Sequence, residues 1–296
     1  MITRFAPSPT GPLHLGHAFS AMLAHDMAMA EGGTFLLRIE DIDGQRSKPE
    51  WEAQIYDDLH WLGLRWEEPV LSQSDRLETY RTVLEDLWQR GFLYPCNCTR
   101  RDIQAALSAP QEGAEPRAGP DGLIYPGTCR HAKPPHPNHG TPMPPMPENA
   151  ALRLLLDAHF IHLAEPRVGG AVFGFQETGP GLRGDIAFTV EEAIATIGDI
   201  ALARPDFGTS YHLSVVLDDA TQGVTHVVRG ADLFEATKIH VILQKLLRLP
   251  TPIYHHHRLI RDDQGKRLAK RDDARAISKY RADGATPADI RAMVGL

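Results

Sequence analysis

The sequence predicts an α/β fold organised around a doubly wound parallel sheet. Three observations near the N-terminus lead to this prediction. The apolar segment Ile2–Ala6 has the length of a strand and runs into a loop rich in Pro and Gly. A helical stretch from about Leu15 to Glu31 follows, and the glycine pair after it marks its end. The apolar run Thr34–Ile39 then suits a buried parallel strand, so the first forty residues are predicted to form one strand–helix–strand unit.

The rest of the chain is predicted to extend this unit. In order, we expect helices over about 49–62 and 74–90, a surface insertion rich in Pro, Gly and Ala over 108–150, strands over 210–216 and 223–228, a helix over 232–247, and helical structure after 274. We therefore expect a main α/β domain of residues 1–93 and 151–250, an insertion of residues 94–150, and a C-terminal region of residues 251–296 with a short helical tail.

Composition limits the class of protein. Hydrophobic residues make up 42% of the 296-residue chain and charged residues 23%, as is typical of soluble globular proteins. No apolar run approaches the roughly 20 residues that cross a bilayer, and Met1–Phe5 lacks the pattern of a signal peptide. Three cysteines suit a reducing compartment better than a disulfide framework. We therefore expect a cytoplasmic monomer with no membrane partner.

Charge is distributed unevenly along the chain. The net charge is −7, but the segment from Lys238 to Arg281 carries 12 Lys and Arg residues against 4 Asp and Glu. Its local balance of +8 leaves about −15 on the remainder. A basic face of this kind can bind a polyanion, although a solvated helical surface without such a partner has the same signature.

The segment Arg4-Phe-Ala-Pro-Ser-Pro-Thr-Gly-Pro-Leu-His14-Leu-Gly-His17 carries the strongest functional signal. Its loop brings two imidazoles and free backbone N–H groups to the start of a helix, where the helix dipole favours phosphate. Two histidines three residues apart at a helix start can also be a capping or packing arrangement. The whole segment, however, closely resembles the ATP-binding segment of class I aminoacyl-tRNA synthetases in their glutamate-specific form. The resemblance implies a Rossmann-like catalytic domain that binds ATP.

A second motif extends the resemblance. Gly265-Lys-Arg-Leu-Ala-Lys-Arg271 resembles the mobile Lys-Leu-Ser-Lys-Arg loop of the same family, in which the second lysine, here Lys270, reaches the triphosphate. Arg267 replaces the first lysine and keeps a cation, whereas Ala269 removes a hydroxyl; alone, such a basic run is ordinarily a charged surface. The implied ATP-binding residues are Pro7, Thr10, Gly11, His14, Gly16, His17, Arg267 and Lys270. Of these, Lys270, His14 and His17 are the candidate catalytic residues, with the histidines binding ATP rather than acting as bases.

Residues at the start of the first motif, together with residues between the two motifs, predict a glutamate pocket. Arg4 and Arg229 fall where parallel strands finish, at the edge where doubly wound sheets bind ligands. Planar guanidinium groups pair bidentately with a carboxylate, so such a pocket prefers glutamate to glutamine. Glu40 is placed to hold the α-ammonium group, with Ser8 as a hydrogen-bond partner, and the resemblance adds Tyr211. The predicted glutamate-binding residues are Arg4, Phe5, Ala6, Pro7, Ser8, Glu40, Tyr211 and Arg229.

Three cysteines form a further candidate site. Cys96 and Cys98 lie close together and Cys129 follows Tyr125 by four residues. Three thiolates and a fourth donor can make a tetrahedral zinc site that closes a loop-rich insertion, although three unrelated reduced cysteines are an alternative. The pattern is similar to the structural zinc site of glutamyl-queuosine tRNA(Asp) synthetases, which implies one structural Zn²⁺ on the three cysteines and Tyr125. His131 is the rival fourth ligand, because tyrosine must lose a proton whose ordinary pKa is about 10.

The resemblance covers essentially the whole chain, including Gln73-Ser74, Gly198-Asp199 and Asp218-Asp219. Full-length glutamyl-tRNA synthetases continue past the lysine loop into an anticodon-binding domain, whereas this sequence ends soon after Lys270, so we expect no such domain here. The shortened form resembles the glutamyl-queuosine enzymes. That resemblance implies activation of L-glutamate by ATP with Mg²⁺ and without tRNA, followed by transfer to queuosine in the anticodon loop of tRNA(Asp).

Other functions stay open at this point. A truncated glutamyl-tRNA synthetase that charges a tRNA 3′ end, or a nucleotidyl transferase with a different acceptor, would use the same residues. A glutamate- or ATP-binding module without catalysis is the alternative from another class, and Ala269 in the lysine motif is the reason to consider it.

Overall fold

The computed structural model describes residues 1–108, 118–134, 142–157, 165–167, 170–206, 208–261 and 275–296. The helices in these ranges are α1 (Leu15–Ala30), α2 (Pro49–Trp61), α3 (Leu77–Gln89), α4 (Arg100–Ser108), α5 (Val190–Thr196), α6 (Tyr211–Thr221), α7 (Ala236–Leu246), α8 (Ile277–Ala282) and α9 (Pro287–Val294). The strands are β1 (Ile2–Phe5), β2 (Thr34–Ile39), β3 (Glu67–Ser72), β4 (Leu93–Cys96), β5 (Ala118–Gly119), β6 (Gly122–Leu123), β7 (Ala151–Leu154), β8 (Glu165–Arg167), β9 (Gly170–Glu177), β10 (Gly184–Thr189), β11 (Ala201–Ala203), β12 (His226–Gly230) and β13 (Ile253–His257).

Parallel pairing joins the strands that carry the N-terminal residues. β1 pairs with β2 in parallel, with Phe5 opposite Leu37, and β2 pairs in parallel with β3. β12 and β13 form a second parallel pair. The backbone N–H of Thr225, just before β12, donates to the carbonyl oxygen of Ile2 at 3.0 Å, so the two groups of strands meet at β1 and β12. The predicted α/β fold with a parallel sheet is confirmed.

The first strand–helix–strand unit is held by close packing of α1 on β1 and β2. Ala21 and Met22 of the helix are buried in one cluster with Phe35 and Leu37 of β2. The Thr3 hydroxyl donates to the carbonyl oxygen of Ala24 at 2.8 Å, which ties β1 to the same helix. Small alanine side chains let the helix approach the sheet closely, and this fixes the loop between β1 and α1 at the carboxyl edge of the strands.

The strand predicted over 210–216 is wrong, because these residues begin the helix α6. Ser210 is its N-cap, and its hydroxyl oxygen accepts a hydrogen bond from the Leu213 N–H at 3.4 Å. Every residue from His212 to Asp219 is buried, so this part of the helix has no solvent-exposed face on which polar residues would recur. Without a polar face the period of 3.6 residues is invisible, and the neighbouring valines favour a strand on propensity alone.

The insertion is anchored by a small antiparallel sheet of order β11-β7-β4. Asp199, next to this sheet, accepts a hydrogen bond from the Tyr94 hydroxyl at 2.5 Å and from both Arg130 Nε and Nη2 at 2.6 and 2.8 Å. Beyond this sheet, the described part of the insertion contains the helix α4, the two-residue strands β5 and β6, and a short 3₁₀ turn at Arg130–Ala132. Of the residues that the structure describes, no helix is long and apolar enough to cross a membrane.

Candidate active site

A cavity of about 440 Å³ opens where β1 and β2 end and α6 begins. Ser8 and Thr10, from the loop after β1, and Glu40, directly after β2, line one side. Tyr211 and His212, at the start of α6, line another. The cavity therefore lies at the carboxyl edge of the parallel strands, where a sheet of this kind binds ligands.

Four charged side chains are buried together beside this cavity. Arg4 donates to Asp219 through Nε at 3.0 Å and Nη2 at 3.3 Å, and Arg38 Nη1 donates to the same carboxylate at 2.7 Å. Arg38 Nη2 donates to Glu40 at 3.1 Å. Burial alone would raise the pKa of Asp219, but the charges of Arg4 and Arg38 outweigh it and hold the pKa below its usual value. Arg4, predicted to bind glutamate, is thus already paired with a carboxylate of the protein.

Burial has the opposite net effect on Glu40. It raises the pKa of this carboxyl above its usual range, although Arg38 and Arg4 act against it. The backbone N–H of Glu40 donates to the carbonyl oxygen of Pro7 at 3.0 Å, which joins the loop after β1 to the end of β2. Pro7 therefore lies beside Glu40, and Ser8 lines the same cavity as Glu40.

Arg229, near the end of β12, has a different environment from Arg4. Its guanidinium is buried and donates to His256 Nε2 at 3.1 Å, His240 Nδ1 at 3.1 Å, and the Thr237 hydroxyl at 2.6 Å. It also donates to the carbonyl oxygen of Leu233, a residue that lines the cavity, at 3.2 Å. Within the described ranges no carboxylate forms a hydrogen bond or ion pair with Arg229.

Both arginines affect the pKa of the Tyr211 phenol. Burial raises its pKa above the usual value, while the charges of Arg229 and Arg4 lower it and that of Glu40 raises it. All three charges act on one phenol, so Arg4, Glu40 and Arg229 lie within electrostatic range of Tyr211. The structure therefore brings Arg4 and Arg229 near Tyr211, although neither arginine lines the cavity. Ser8, Glu40 and Tyr211 do line it.

The two histidines of the first motif form the N-terminal cap of α1. His14 Nδ1 accepts a hydrogen bond from the Gly16 N–H at 3.1 Å, and His17 Nδ1 accepts one from the His14 N–H at 3.2 Å. Their rings stack with centroids 3.8 Å apart. A Cβ atom at Gly16 would lie 3.0 Å from the His14 ring, so the glycine permits this stack. The capping arrangement considered from the sequence is present, and it presents both imidazoles at the helix N-terminus.

The lysine motif lies outside the described residues, which resume at Arg275. The residues around it nevertheless contact α1. Before it, His257 Nε2 lies 2.7 Å from the Ser20 hydroxyl. After it, the N–H of Ile277 donates to the carbonyl oxygen of Leu13 at 2.8 Å. The described residues on either side of the segment that contains Arg267 and Lys270 are therefore held against α1 and the loop before it.

The three cysteines and Tyr125 come together at the end of β4. Their three Sγ atoms lie within 4.8 Å of one another, with Cys98 and Cys129 3.4 Å apart. The Tyr125 hydroxyl lies 3.4 Å from Cys96 Sγ and 3.5 Å from Cys98 Sγ. Burial opposes ionisation of Cys96, but hydrogen bonding with Tyr125 and Arg153 outweighs it and lowers the thiol pKa to about 7. His131 Nδ1 instead lies 2.9 Å from the carbonyl oxygen of Thr128.

Sequence reasoning missed the buried histidines around Arg229. His240 lies on α7, and His256 lies on β13, a strand that the sequence analysis did not predict. His256 Nδ1 is hydrogen-bonded to Glu177, which is also buried. The available signal was the run of three consecutive histidines at 255–257, but only contacts from other elements show which of them faces the arginine.

Comparison with known proteins places this geometry in a family. Residues 1–122 and 176–296 match the family model described as tRNA synthetases class I (E and Q), catalytic domain. The chain is 63% identical, over all 296 residues and 100% of both chains, to a protein named Glutamyl-Q tRNA(Asp) synthetase from Rhodobacter capsulatus.

Solved structures give the same fold. The chain superposes on a glutamate tRNA ligase from Elizabethkingia meningosepticum, in complex with its amino acid, with a TM-score of 0.70 and 23% identity over 99% of this chain and 60% of that one. For a methionyl-tRNA synthetase from Mycobacterium tuberculosis in complex with methionyl-adenylate, the TM-score is 0.58 and the identity 11%, over 99% and 63% of the two chains. The chain spans about three-fifths of these solved chains, and at such identities the likeness shows the fold alone.

Proposed function

This chain belongs to the class I tRNA synthetases (E and Q), and from that premise we propose that it activates glutamate with ATP and transfers the glutamyl group to queuosine in the anticodon loop of tRNA(Asp). The observation that carries the proposal is the 63% identity, over the full length of both chains, to the Rhodobacter capsulatus protein named for this reaction. The solved glutamate tRNA ligase supports the fold on which such chemistry takes place.

The cavity and the buried charged residues beside it supply groups suited to glutamate. Arg229 offers a guanidinium with no carboxylate partner among the described residues, and it is the group best able to bind the side-chain carboxylate. Glu40, which lines the cavity together with Ser8 and Tyr211, is a negative partner for the α-ammonium group. Arg4 acts through Asp219, by holding the charged cluster that fixes Glu40. A neutral glutamine side chain would leave the Arg229 charge unpaired, which favours glutamate.

ATP is proposed to bind along the first motif, with its phosphates at the N-terminus of α1. Orphan backbone N–H groups and the helix dipole stabilise negative charge there, and His14 and His17 contribute ring nitrogens to the same place. The α-carboxylate of glutamate attacks the α-phosphorus in line, the bond from that phosphorus to the bridging oxygen of the β-phosphate breaks, and pyrophosphate leaves. Mg²⁺ bound with ATP would supply positive charge to the phosphates. Lys270 takes up charge on the leaving group, so positioning and electrostatics provide the catalysis.

Activation can be tested before any acceptor is known. We expect glutamate-dependent exchange of labelled pyrophosphate into ATP by the purified protein without tRNA, because the proposed contacts to both substrates come from this chain alone. Glutamine and aspartate serve as matched controls and should exchange poorly. Exchange that requires tRNA, or that proceeds equally with glutamine, would contradict the assignment of Arg229; a binding module without chemistry would give no exchange with any amino acid.

The acceptor requires a second experiment. Labelled glutamate is incubated with tRNA(Asp) from cells able or unable to make queuosine, and the product is cut to separate the anticodon loop from the acceptor end. We expect label in the anticodon-loop fragment of the queuosine-containing tRNA only. Label at the 3′ end, or equal label in both preparations, would restore the interpretation as a synthetase that charges the 3′ adenosine.

We further propose that the cysteine cluster holds one structural zinc ion. A tetrahedral site with Zn–S distances of about 2.3 Å places sulfur atoms about 3.8 Å apart, close to the separations present here. Tyr125 is the fourth donor closest to the thiols, and the Arg153 guanidinium 3.8 Å above its ring favours an anionic phenol. Burial and the neighbouring thiols raise the Tyr125 pKa, so a bound cation has to offset the cost of removing that proton.

This proposal predicts about one zinc ion per chain by elemental analysis. Cys98→Ser should lose the metal and loosen the insertion, because a structural zinc ion stabilises the residues that it joins. Tyr125→Phe should weaken zinc retention against a chelator more than His131→Ala, the matched control. The reverse order would identify His131 as the fourth ligand, and a folded native protein free of metal would remove the site.

A further inference from the structure

The hydrogen bonds around Arg229 determine the protonation of its neighbours. Because a guanidinium only donates, His256 Nε2 and His240 Nδ1 must both be acceptors and carry no proton. His256 then carries its proton on Nδ1 and donates it to Glu177. His240 carries its proton on Nε2 and donates it to His212 Nδ1 at 3.1 Å. Both imidazoles in contact with Arg229 are therefore neutral, in opposite tautomers.

Each imidazole separates Arg229 from a carboxylate. On one side the order is Arg229, His256, Glu177. On the other it is Arg229, His240, His212, whose Nε2 lies 3.7 Å from Asp121. The two carboxylates orient the rings and act on the guanidinium only from a distance. Burial lowers the pKa of His240 well below its usual value and that of His256 to about 4, and the positive charge of Arg229 acts in the same direction.

The position of Glu177 is tightly fixed. Its Oε1 accepts hydrogen bonds from the backbone N–H groups of Gly179 at 2.6 Å and His256 at 2.9 Å. A Cβ atom at position 179 would lie 2.2 Å from the His256 carbonyl oxygen and 2.7 Å from Glu177 Oε1. Any residue other than glycine there would therefore displace the Glu177 carboxylate or the His256 backbone. The carboxylate is thus held against the far side of the His256 ring and away from the arginine.

Arg4 and Arg229 differ in whether a carboxylate of the protein contacts the guanidinium directly. Arg4 contacts Asp219 directly, and its charge is neutralised within the protein. A carboxylate placed directly on Arg229 would in the same way compete with the carboxylate of a ligand for the guanidinium. A neutral acceptor satisfies and orients the N–H groups while leaving the positive charge uncompensated.

We propose that His240 and His256 are specificity-determining positioning residues, which hold Arg229 through neutral acceptors so that its charge is matched by the side-chain carboxylate of the substrate. This inference rests on the proposed function, in which Arg229 binds glutamate. On this proposal, the preference for glutamate over glutamine depends on the uncharged imidazoles of His240 and His256 as well as on Arg229 itself.

The test compares two substitutions of the same shape. In His240→Asn an amide oxygen replaces Nδ1 as a neutral acceptor, and in His240→Asp a carboxylate oxygen occupies that place. We expect the Asp variant to raise the KM for glutamate in pyrophosphate exchange about thirtyfold or more relative to the Asn variant, because a direct ion pair neutralises Arg229. The KM for ATP should stay the same in both variants, and glutamate should lose its advantage over glutamine only in the Asp variant.

Equal glutamate KM values for the two folded variants would show that His240 acts by packing and would overturn the proposal. Thermal unfolding identifies a variant that fails to fold. In that event His256→Gln, which keeps an acceptor near Nε2, is compared with His256→Leu; we expect about tenfold higher KM for the Leu variant, and equal values would overturn the proposal. If the unsubstituted protein gives no glutamate-dependent exchange, the proposed function itself fails, and the premise of this inference fails with it.

Discussion

Replacing Arg229 with glutamine is expected to lower kcat/KM for glutamate by about two to three orders of magnitude, mostly through KM. The substitution removes the positive charge from a buried position whose protein neighbours are neutral, so the substrate carboxylate would enter without a counter-ion. Loss of one partner of a buried ion pair costs about 3–5 kcal/mol in proteins, which is the basis of the expected magnitude. The measurement is pyrophosphate exchange as a function of glutamate concentration.

Arg65→Gln is the matched control, because Arg65 is exposed and outside the cavity. It should leave both KM values unchanged, and Arg229→Gln should leave the KM for ATP unchanged. A small effect of Arg229→Gln on the glutamate KM would place the carboxylate-binding role elsewhere, with Arg4 as the next candidate.

Lys270→Ala is expected to lower the turnover of activation by about 10²–10³ while the affinity for glutamate stays almost unchanged. A lysine that contacts the leaving pyrophosphate acts mainly in the transition state, so its loss affects kcat rather than glutamate binding. Single-turnover formation of the adenylate, together with glutamate binding by calorimetry, separates the two quantities.

Lys279→Ala on α8 is the control, since Lys279 is exposed and carries the same charge in the same basic segment. It should retain normal turnover. Normal turnover in Lys270→Ala as well would move the role to Arg267 or Lys266 and would indicate that Ala269 marks a reorganised loop.

Local signals were sufficient to predict the first part of the fold. The loop between β1 and α1, the glycine pair after α1, and the apolar strand β2 each lie within a few residues of the feature they determine. The prediction of a strand at the start of α6 was wrong because residues buried on every side of the helix show no hydrophobic period of 3.6. Tertiary packing overrode the strand propensity of Val215 and Val216.

Some parts of the candidate site could likewise be predicted from the sequence, whereas others could not. Cys96, Cys98 and Cys129 carry ligand chemistry in their residue type, so their meeting could be predicted from spacing. The environments of Arg4 and Arg229 could not, because the difference depends on Asp219 in one case and on His240 in the other, residues far away in sequence or on a different element. Sequence indicates which groups carry charge, but only the fold decides which charges are neutralised.

Asp218 and Asp219, side by side near the end of α6, reach in different directions. Asp219 binds Arg4 and Arg38 of the N-terminal strands, whereas Asp218 accepts hydrogen bonds from Gln73 at 2.8 Å and from the Tyr80 hydroxyl at 2.8 Å. Both carboxylates are buried, and an unpaired buried charge costs several kcal/mol. If α6 packed against the wrong strands, Asp218 and Asp219 would be buried without hydrogen-bond or ion-pair partners. Both carboxylates find their partners only where α6 meets the N-terminal strands and α3 together, so an arrangement that lacks either contact is destabilised.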